Sequence, residues 1–77
     1  MEIHLDGSNQ PYLEVPTDAG EFVRVTLVPK GKGGYSSETV RIQIREANGH
    51  LRAPCPEVPV DAISQFIAAV VELLRSR

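Results

Sequence analysis

The sequence contains few of the residues that disulfides, metal sites and membrane spans require. Its 77 residues include one cysteine and two histidines, so an intramolecular disulfide is excluded and a metal site would lack convergent soft ligands. The longest apolar run, residues 66–71, is far shorter than the roughly 20 residues that cross a bilayer. We therefore expect no membrane span, signal peptide, metal or other cofactor, and a single unpaired thiol favours the cytoplasm.

A recognisable catalytic arrangement is also missing. Cys55 lies between two prolines with no histidine nearby, which predicts a small, partly buried side chain rather than a nucleophile. The spacing of Ser36, Ser37, Asp18 and His50 does not indicate a triad. Neither sign of charge dominates, with a net charge of -2 and 42% hydrophobic residues. These values are typical of one globular domain over residues 1–77, and we expect it not to be an enzyme.

Two segments show the alternation of apolar and polar residues that is typical of strands with one buried face. Apolar side chains recur at every second position through residues 23–27 and again through residues 40–44. Weaker strand patterns cover residues 1–5 and 12–15, and a cluster of turn-forming residues separates them. We expect an antiparallel meander of four or five strands within about residues 1–55.

The C-terminal segment has helical periodicity. Three prolines over residues 54–60 favour an extended connection, and Asp61 is a candidate N-cap. From about residue 61 to 75 the apolar side chains fall on one arc of a helix about 22 Å long, close to the width of a five-stranded sheet. The sequence therefore predicts an α+β fold in which one C-terminal helix covers one face of the sheet, with Phe66 and Ile67 buried against it.

A candidate binding surface follows from the pairing of the two best strands. If Val28 pairs with Thr39, the helix side receives only apolar residues, and the open side carries arginines and an aromatic ring. A two-residue type I′ turn at Asn48-Gly49 would place Arg52 opposite Arg45 on that same side. The predicted open face thus holds Phe22, Arg24, Arg41, Arg45 and Arg52, together with Thr26 and Gln43.

Two interpretations of this face remain open. Guanidinium groups can fork onto phosphates while an aromatic ring stacks on a base, so the face could bind nucleic acid or another polyanion. Alternatively, the arginines form an ordinary solvated strand face and pair with Glu14, Glu21 or Glu38. Residues 21–52 hold six basic and three acidic residues, which favours an anionic partner, whereas a pI near 5.6 is low for a nucleic-acid binder.

The connection between the two best strands is rich in glycine and carries Lys30 and Lys32. Its backbone N–H groups could surround a phosphate, although the lysines precede the glycine pair and no helix follows, so it is not a P-loop. The alternative is a flexible hairpin tip, and tips that carry lysine and tyrosine often contact partners.

The order of these elements resembles a known family. The stretch "FVRVTLVPKGKGGYSSETVRIQIRE" and the later "VPVDAISQFIAAVVELL" resemble bacterial relatives of the single-stranded-DNA-binding transcriptional coactivator family, positive cofactor four. The resemblance covers residues 22–74, and "IQIRE" matches the family's strand pattern. It implies a curved antiparallel sheet with a C-terminal helix, a dimer, and binding of single-stranded nucleic acid. The contacts carried over would be Arg41, Arg45, Lys30 and Lys32.

Two functions are therefore expected from the sequence. The first is a small non-enzymatic module that binds single-stranded nucleic acid through Phe22, Arg24, Lys30, Lys32, Arg41, Arg45 and Arg52. The second is a protein-interaction or homodimerisation domain that uses an edge strand or the apolar flank of the helix.

Overall fold

The chain forms an antiparallel sheet followed by one helix. A computed structural model describes all residues, 1–77, and its five strands have the same order in the sheet as in the sequence. The strands are β1 (His4–Leu5), β2 (Pro11–Pro16), β3 (Phe22–Val28), β4 (Thr39–Arg45) and β5 (Glu57–Pro59). A 3-10 turn at Val60–Ala62 leads into α1 (Ile63–Arg75). The predicted α+β class and the antiparallel meander are confirmed.

The register of the two central strands agrees with the alternation in the sequence. Val28 pairs with Thr39, and the ladder continues to Phe22 opposite Arg45. Because neighbouring residues of a strand point to opposite faces, this register separates the side chains completely. We call the two sides the polar face, which carries the arginines of β3 and β4, and the apolar face, which carries Val23, Val25, Leu27, Val40, Ile42 and Ile44.

The turn between β1 and β2 forms where the cluster of turn residues predicts it. The Asp6 carboxylate accepts hydrogen bonds from the backbone N–H groups of Ser8 and Gln10, both at 2.9 Å. Asn9 has a φ of 64°, a conformation that asparagine tolerates better than most residues. The turn places Leu5 opposite Pro11 and His4 opposite Tyr12, so the short β1 extends both faces of the sheet.

The hairpin after β4 differs from the predicted two-residue turn. The N–H of Glu46 donates to the carbonyl of His50, and the N–H of Gly49 donates to the carbonyl of Glu46, each at 2.8 Å. The loop therefore has three residues, 47–49, and only Gly49 needs a positive φ, which is 92°. Asn48 instead accepts the N–H of His50 through its side chain, at 2.9 Å. Asn48 therefore does not adopt the left-handed conformation that a type I′ turn would require.

The longer loop changes the face on which Arg52 lies. Leu51, not Arg52, now pairs with Arg45. A slip of one residue reverses the orientation of every side chain, so the predicted pair of Arg45 with Arg52 on the polar face is wrong.

The fifth strand lies in the segment that was expected to be a connection. Residues 51–55 make only an isolated bridge, whereas β5 forms among the prolines and pairs Val58 with Val40. Pro56 and Pro59 are compatible with this position because β5 is an edge strand, where a missing N–H need not face a neighbour. The predicted limit of the sheet near residue 55 is therefore too early.

The helix begins and packs differently from the prediction. Asp61 lies inside the 3-10 turn, and the N-cap of α1 is Ala62, which makes no side-chain capping bond. The only element that α1 contacts substantially is that same turn, and none of its residues is buried. Phe66 is 41% exposed and Ile67 is 55% exposed. The expectation that the helix covers the sheet within one chain is wrong.

The chain consequently has almost no hydrophobic core of its own. Val28 is the one fully buried apolar residue, and it lies on the polar face beside Thr26 and Thr39. The apolar face of the sheet and the apolar side of α1 both remain uncovered. The fold thus presents two surfaces of the kind that normally face each other in a protein interior.

Candidate functional site

On the polar face, Glu14 is the centre of an ion-pair cluster. Its carboxylate accepts Arg45 Nε at 2.8 Å and Arg45 Nη2 at 3.0 Å, and it accepts Arg24 Nε at 2.9 Å. The register of β2 and β3 places Glu14 directly opposite Arg24, while Arg45 reaches it from the next strand but one. Hydrogen bonding by Arg45, followed by that of Arg24, holds the pKa of Glu14 below its usual range against the opposing effect of burial.

The same two arginines cover the aromatic rings of this face. The guanidinium carbon of Arg24 lies 4.0 Å from the centroid of the Tyr12 ring, and that of Arg45 lies 4.3 Å from the Phe22 ring. Each guanidinium thus contacts a carboxylate and an aromatic ring together. Phe22, predicted to stack on a base, has one side of its ring already occupied by Arg45.

Glu57 organises a second cluster at the other end of the face. It accepts Arg41 Nε at 3.2 Å and Arg41 Nη2 at 3.0 Å, the hydroxyl of Thr39 at 3.1 Å, and the backbone N–H of Gly34 at 3.0 Å. The bond from Gly34 ties the loop between β3 and β4 to strand β5. Hydrogen bonding by Arg41 is the largest cause of the lowered pKa of Glu57, and Gly34 and Thr39 add to it.

Close packing around Glu57 explains one glycine of that loop. A side chain at Gly33 would collide with the Glu57 carboxylate, so only glycine fits there without movement. The loop residues around Gly33 and Gly34 therefore lie against the sheet rather than forming a free tip.

Arg52 belongs to a third, separate cluster. It donates to Glu21 at 2.6 Å and to Glu46 at 3.0 Å, beyond the end of the sheet. Glu21 and Glu46 follow the alternation of the apolar face, which agrees with the one-residue shift of the hairpin. The structure therefore does not bring Arg52 together with Arg24, Arg41 and Arg45.

Lys30 and Lys32 differ from the arginines because they form no ion pair. Both are exposed on the loop between β3 and β4, and the nearby Tyr35 is 48% exposed. All four predicted arginine contacts, in contrast, already bind carboxylates within the chain.

The apolar face carries a surface depression that sequence analysis does not reveal. A cavity of about 270 Å³ opens over β2, β3 and β4, next to the residue that precedes β1. Its apolar lining includes Ile3, Pro11, Leu13, Val25, Leu27 and Val40. Alternation predicts that these side chains share a face, but whether that face is filled depends on where the helix lies.

Two of the carboxylates that define the polar face were recognised only in part from the sequence. The sequence predicts Glu14 as a partner of the arginines, whereas it places Glu57 in a connection and indicates no role for it. The signal for Glu57 is its register opposite Arg41, which appears only once β5 is identified as a strand.

The structure has no group of three or more histidine, cysteine, aspartate or glutamate side chains that could hold a metal ion. Its helix is neither long nor apolar enough to cross a membrane. Comparisons with protein-family models, with curated proteins and with solved structures find no match to this chain.

Proposed function

We propose that the chain is one subunit of a non-enzymatic homodimeric binding module, assembled through its apolar face and its helix. The supporting observation is the exposed area. A compact monomer of this mass exposes about 4,600 Å², whereas this chain exposes 5667 Å². The excess of about 1,000 Å² is close to the roughly 800 Å² that each partner buries in a standard interface.

A second copy is the partner that the surfaces favour. The apolar side of α1 lacks a sheet to cover, and the apolar face of the sheet lacks a helix. Two copies related by a two-fold axis provide each missing surface twice, since every contact in such an interface is reciprocal. A different partner would have to supply both a helix-like and a sheet-like surface.

Solution mass and stability test this proposal directly. We expect sedimentation to give twice the chain mass, and the midpoint of thermal unfolding to rise over about a hundredfold range of protein concentration, because association stabilises the folded state by mass action. A folded species with the mass of one chain, and with an unfolding midpoint independent of concentration, would contradict the homodimer.

The lone, partly buried Cys55 suits a reducing compartment, and we assign the module to the cytoplasm.

Binding of single-stranded nucleic acid is the second candidate function. The unpaired Lys30 and Lys32, with Tyr35 beside them, offer positive charge and an exposed ring on one loop. The arginines of the polar face are less available, because a phosphate would have to displace Glu14 or Glu57. We therefore place the main contacts on the loop, with Arg41 and Arg45 contributing less.

A salt titration separates the two sets of contacts. The measurement is the affinity for a short single-stranded oligonucleotide as a function of salt concentration. The double variant Lys30→Gln, Lys32→Gln should lower the slope of that dependence by up to about two counterions. Arg41→Gln with Arg45→Gln is the matched double variant and should change the slope less. A larger effect of the arginine pair would move the binding site to the polar face. If the wild-type chain shows no chemical-shift change at low salt, the nucleic-acid function is wrong.

A further inference from the structure

Within one chain, the cavity on the apolar face stays open, and the bulkiest side chain of the helix stays exposed. The cavity on the apolar face measures about 270 Å³ and has an almost entirely apolar surface. Phe66 is the one aromatic residue of α1, and it lies in the first turns of that helix, 41% exposed. An aromatic side chain brings more apolar area into an interface than any other residue of this helix can.

The dimensions of the two surfaces agree. Thirteen residues of α1 span about 20 Å, and five strands spaced about 4.8 Å apart span about 19 Å. Phe66, Val70 and Leu73 follow the spacing of one helix face and are all exposed. The helix is therefore long enough to cross every strand of a sheet.

The helix does not cross the sheet of its own chain. It begins one 3-10 turn after β5, and its substantial contacts are confined to that turn. The apolar face of the same chain's sheet therefore stays open along the strands, where Leu27 is 38% exposed. The surface that α1 can still cover is therefore the sheet of another molecule.

We infer that α1 of each copy lies across the apolar face of the partner, with Phe66 inserted into the cavity over β2, β3 and β4. This inference rests on the proposed homodimer and specifies its geometry. A cavity of about 150 Å³ holds a benzene ring, so the larger volume here admits the phenyl ring of Phe66 and part of a neighbouring aliphatic side chain. The exchange is reciprocal, so one dimer contains two filled cavities.

Cross-linking between two different single-cysteine chains tests this geometry. One chain carries Phe66→Cys and the other, with a tag that changes its mass, carries Val40→Cys, both in a Cys55→Ser background. After the chains are mixed and oxidised, we expect a disulfide between positions 66 and 40, because a bond requires the two Cβ atoms to approach within about 4.5 Å. Gln65→Cys is the matched control, since that position lies on the opposite side of the helix and should not form the bond.

The remaining outcomes distinguish this geometry from the homodimer itself. A dimer joined mainly between two copies of position 66 would mean that helix packs on helix, and it would overturn the inference while the homodimer stands. A dimer that forms no 66–40 bond would do the same. A wild-type chain that stays monomeric at every concentration would overturn both.

The affinity of the dimer provides a second measurement. Phe66→Ala should weaken association by at least about 30-fold, the effect expected of a side chain that anchors an interface. Ser64→Ala, on the polar side of the same helix, should leave the dissociation constant within about threefold of the wild-type value. Equal dissociation constants for Phe66→Ala and the wild type would contradict the insertion of Phe66.

Discussion

The two faces of the sheet have opposite relations to the rest of the chain. On the polar face, Glu14 binds Arg24 and Arg45, Glu57 binds Arg41, and the loop between β3 and β4 closes over one end. On the apolar face, the helix of the same chain makes no substantial contact with the strands. The charges of the polar face, which looks suited to a ligand, are thus paired within the chain. The apolar face, which is expected to form a core, is open.

This difference shows which surface can gain most from a partner. A polyanion on the polar face must compete with carboxylates that are already bound to the guanidinium groups at 2.8 to 3.0 Å. A second chain on the apolar face displaces only water, and each apolar Å² removed from water contributes about 25 cal/mol. Association through the apolar face is therefore the stronger expectation.

A charge placed on either face gives the largest expected difference. Ile42→Asp puts a carboxylate in the middle of the apolar face, where burial without a partner costs several kcal/mol, so we expect loss of both dimer and fold. Gln43→Asp changes the next residue of the same strand but points to the polar face, beside Arg24, and should alter stability by no more than about 1 kcal/mol. Circular dichroism and sedimentation measure both. A well-folded Ile42→Asp monomer would mean that the apolar face is normally solvated.

Removal of a central carboxylate sharpens the description of the polar face. Glu14→Gln removes the negative charge shared by Arg24 and Arg45, and we expect a loss of about 1–3 kcal/mol in the free energy of unfolding, measured with urea. Glu38→Gln is the matched control because the Glu38 side chain is exposed and makes no ion pair. Equal stability of the two variants would show that the cluster around Glu14 contributes nothing.

The turn after β4 decides which side of the sheet Arg52 joins. Gly49 has a φ of 92°, so Gly49→Ala should cost about 1 kcal/mol through left-handed strain. Gly7→Ala provides the comparison, because Gly7 has no positive φ and open space for a side chain. Thermal unfolding of the two variants measures the effect. A neutral Gly49→Ala would contradict the left-handed conformation at residue 49 and, with it, the three-residue loop.

Acid should weaken the polar face before it affects the apolar one. The pKa values of Glu14 and Glu57 are lowered in the folded chain, chiefly by hydrogen bonds from Arg45 and Arg41 respectively. Their contribution to stability is thus complete above the ordinary glutamate pKa of about 4.3 and is lost as pH falls through the lower folded values. We expect a shallow decline in the unfolding midpoint below that pH, smaller in Glu14→Gln. An identical decline in that variant would assign the acid sensitivity to other groups.

The alternation of residues 22–28 and 39–45 predicts both central strands, their register and the composition of each face. Such local patterns determine which side chains lie together, because a strand places neighbouring residues on opposite sides. The same reasoning identifies the helix between residues 61 and 75, since its apolar arc is continuous in the sequence. It does not identify β5, because three prolines are read as an interruption unless an edge position is known.

Local periodicity alone thus predicts the two central strands, their two faces and the helix. Tertiary structure decided what those residues do. A three-residue loop turned Arg52 away from Arg45, edge strand β5 brought Glu57 to Arg41, and a short turn directed α1 away from its own sheet. The pairing of Glu57 with Arg41 appears only when distant segments come together in the sheet. Local periodicity encodes neither that pairing nor the position of the helix, because it reports which face is apolar but not which surface covers it.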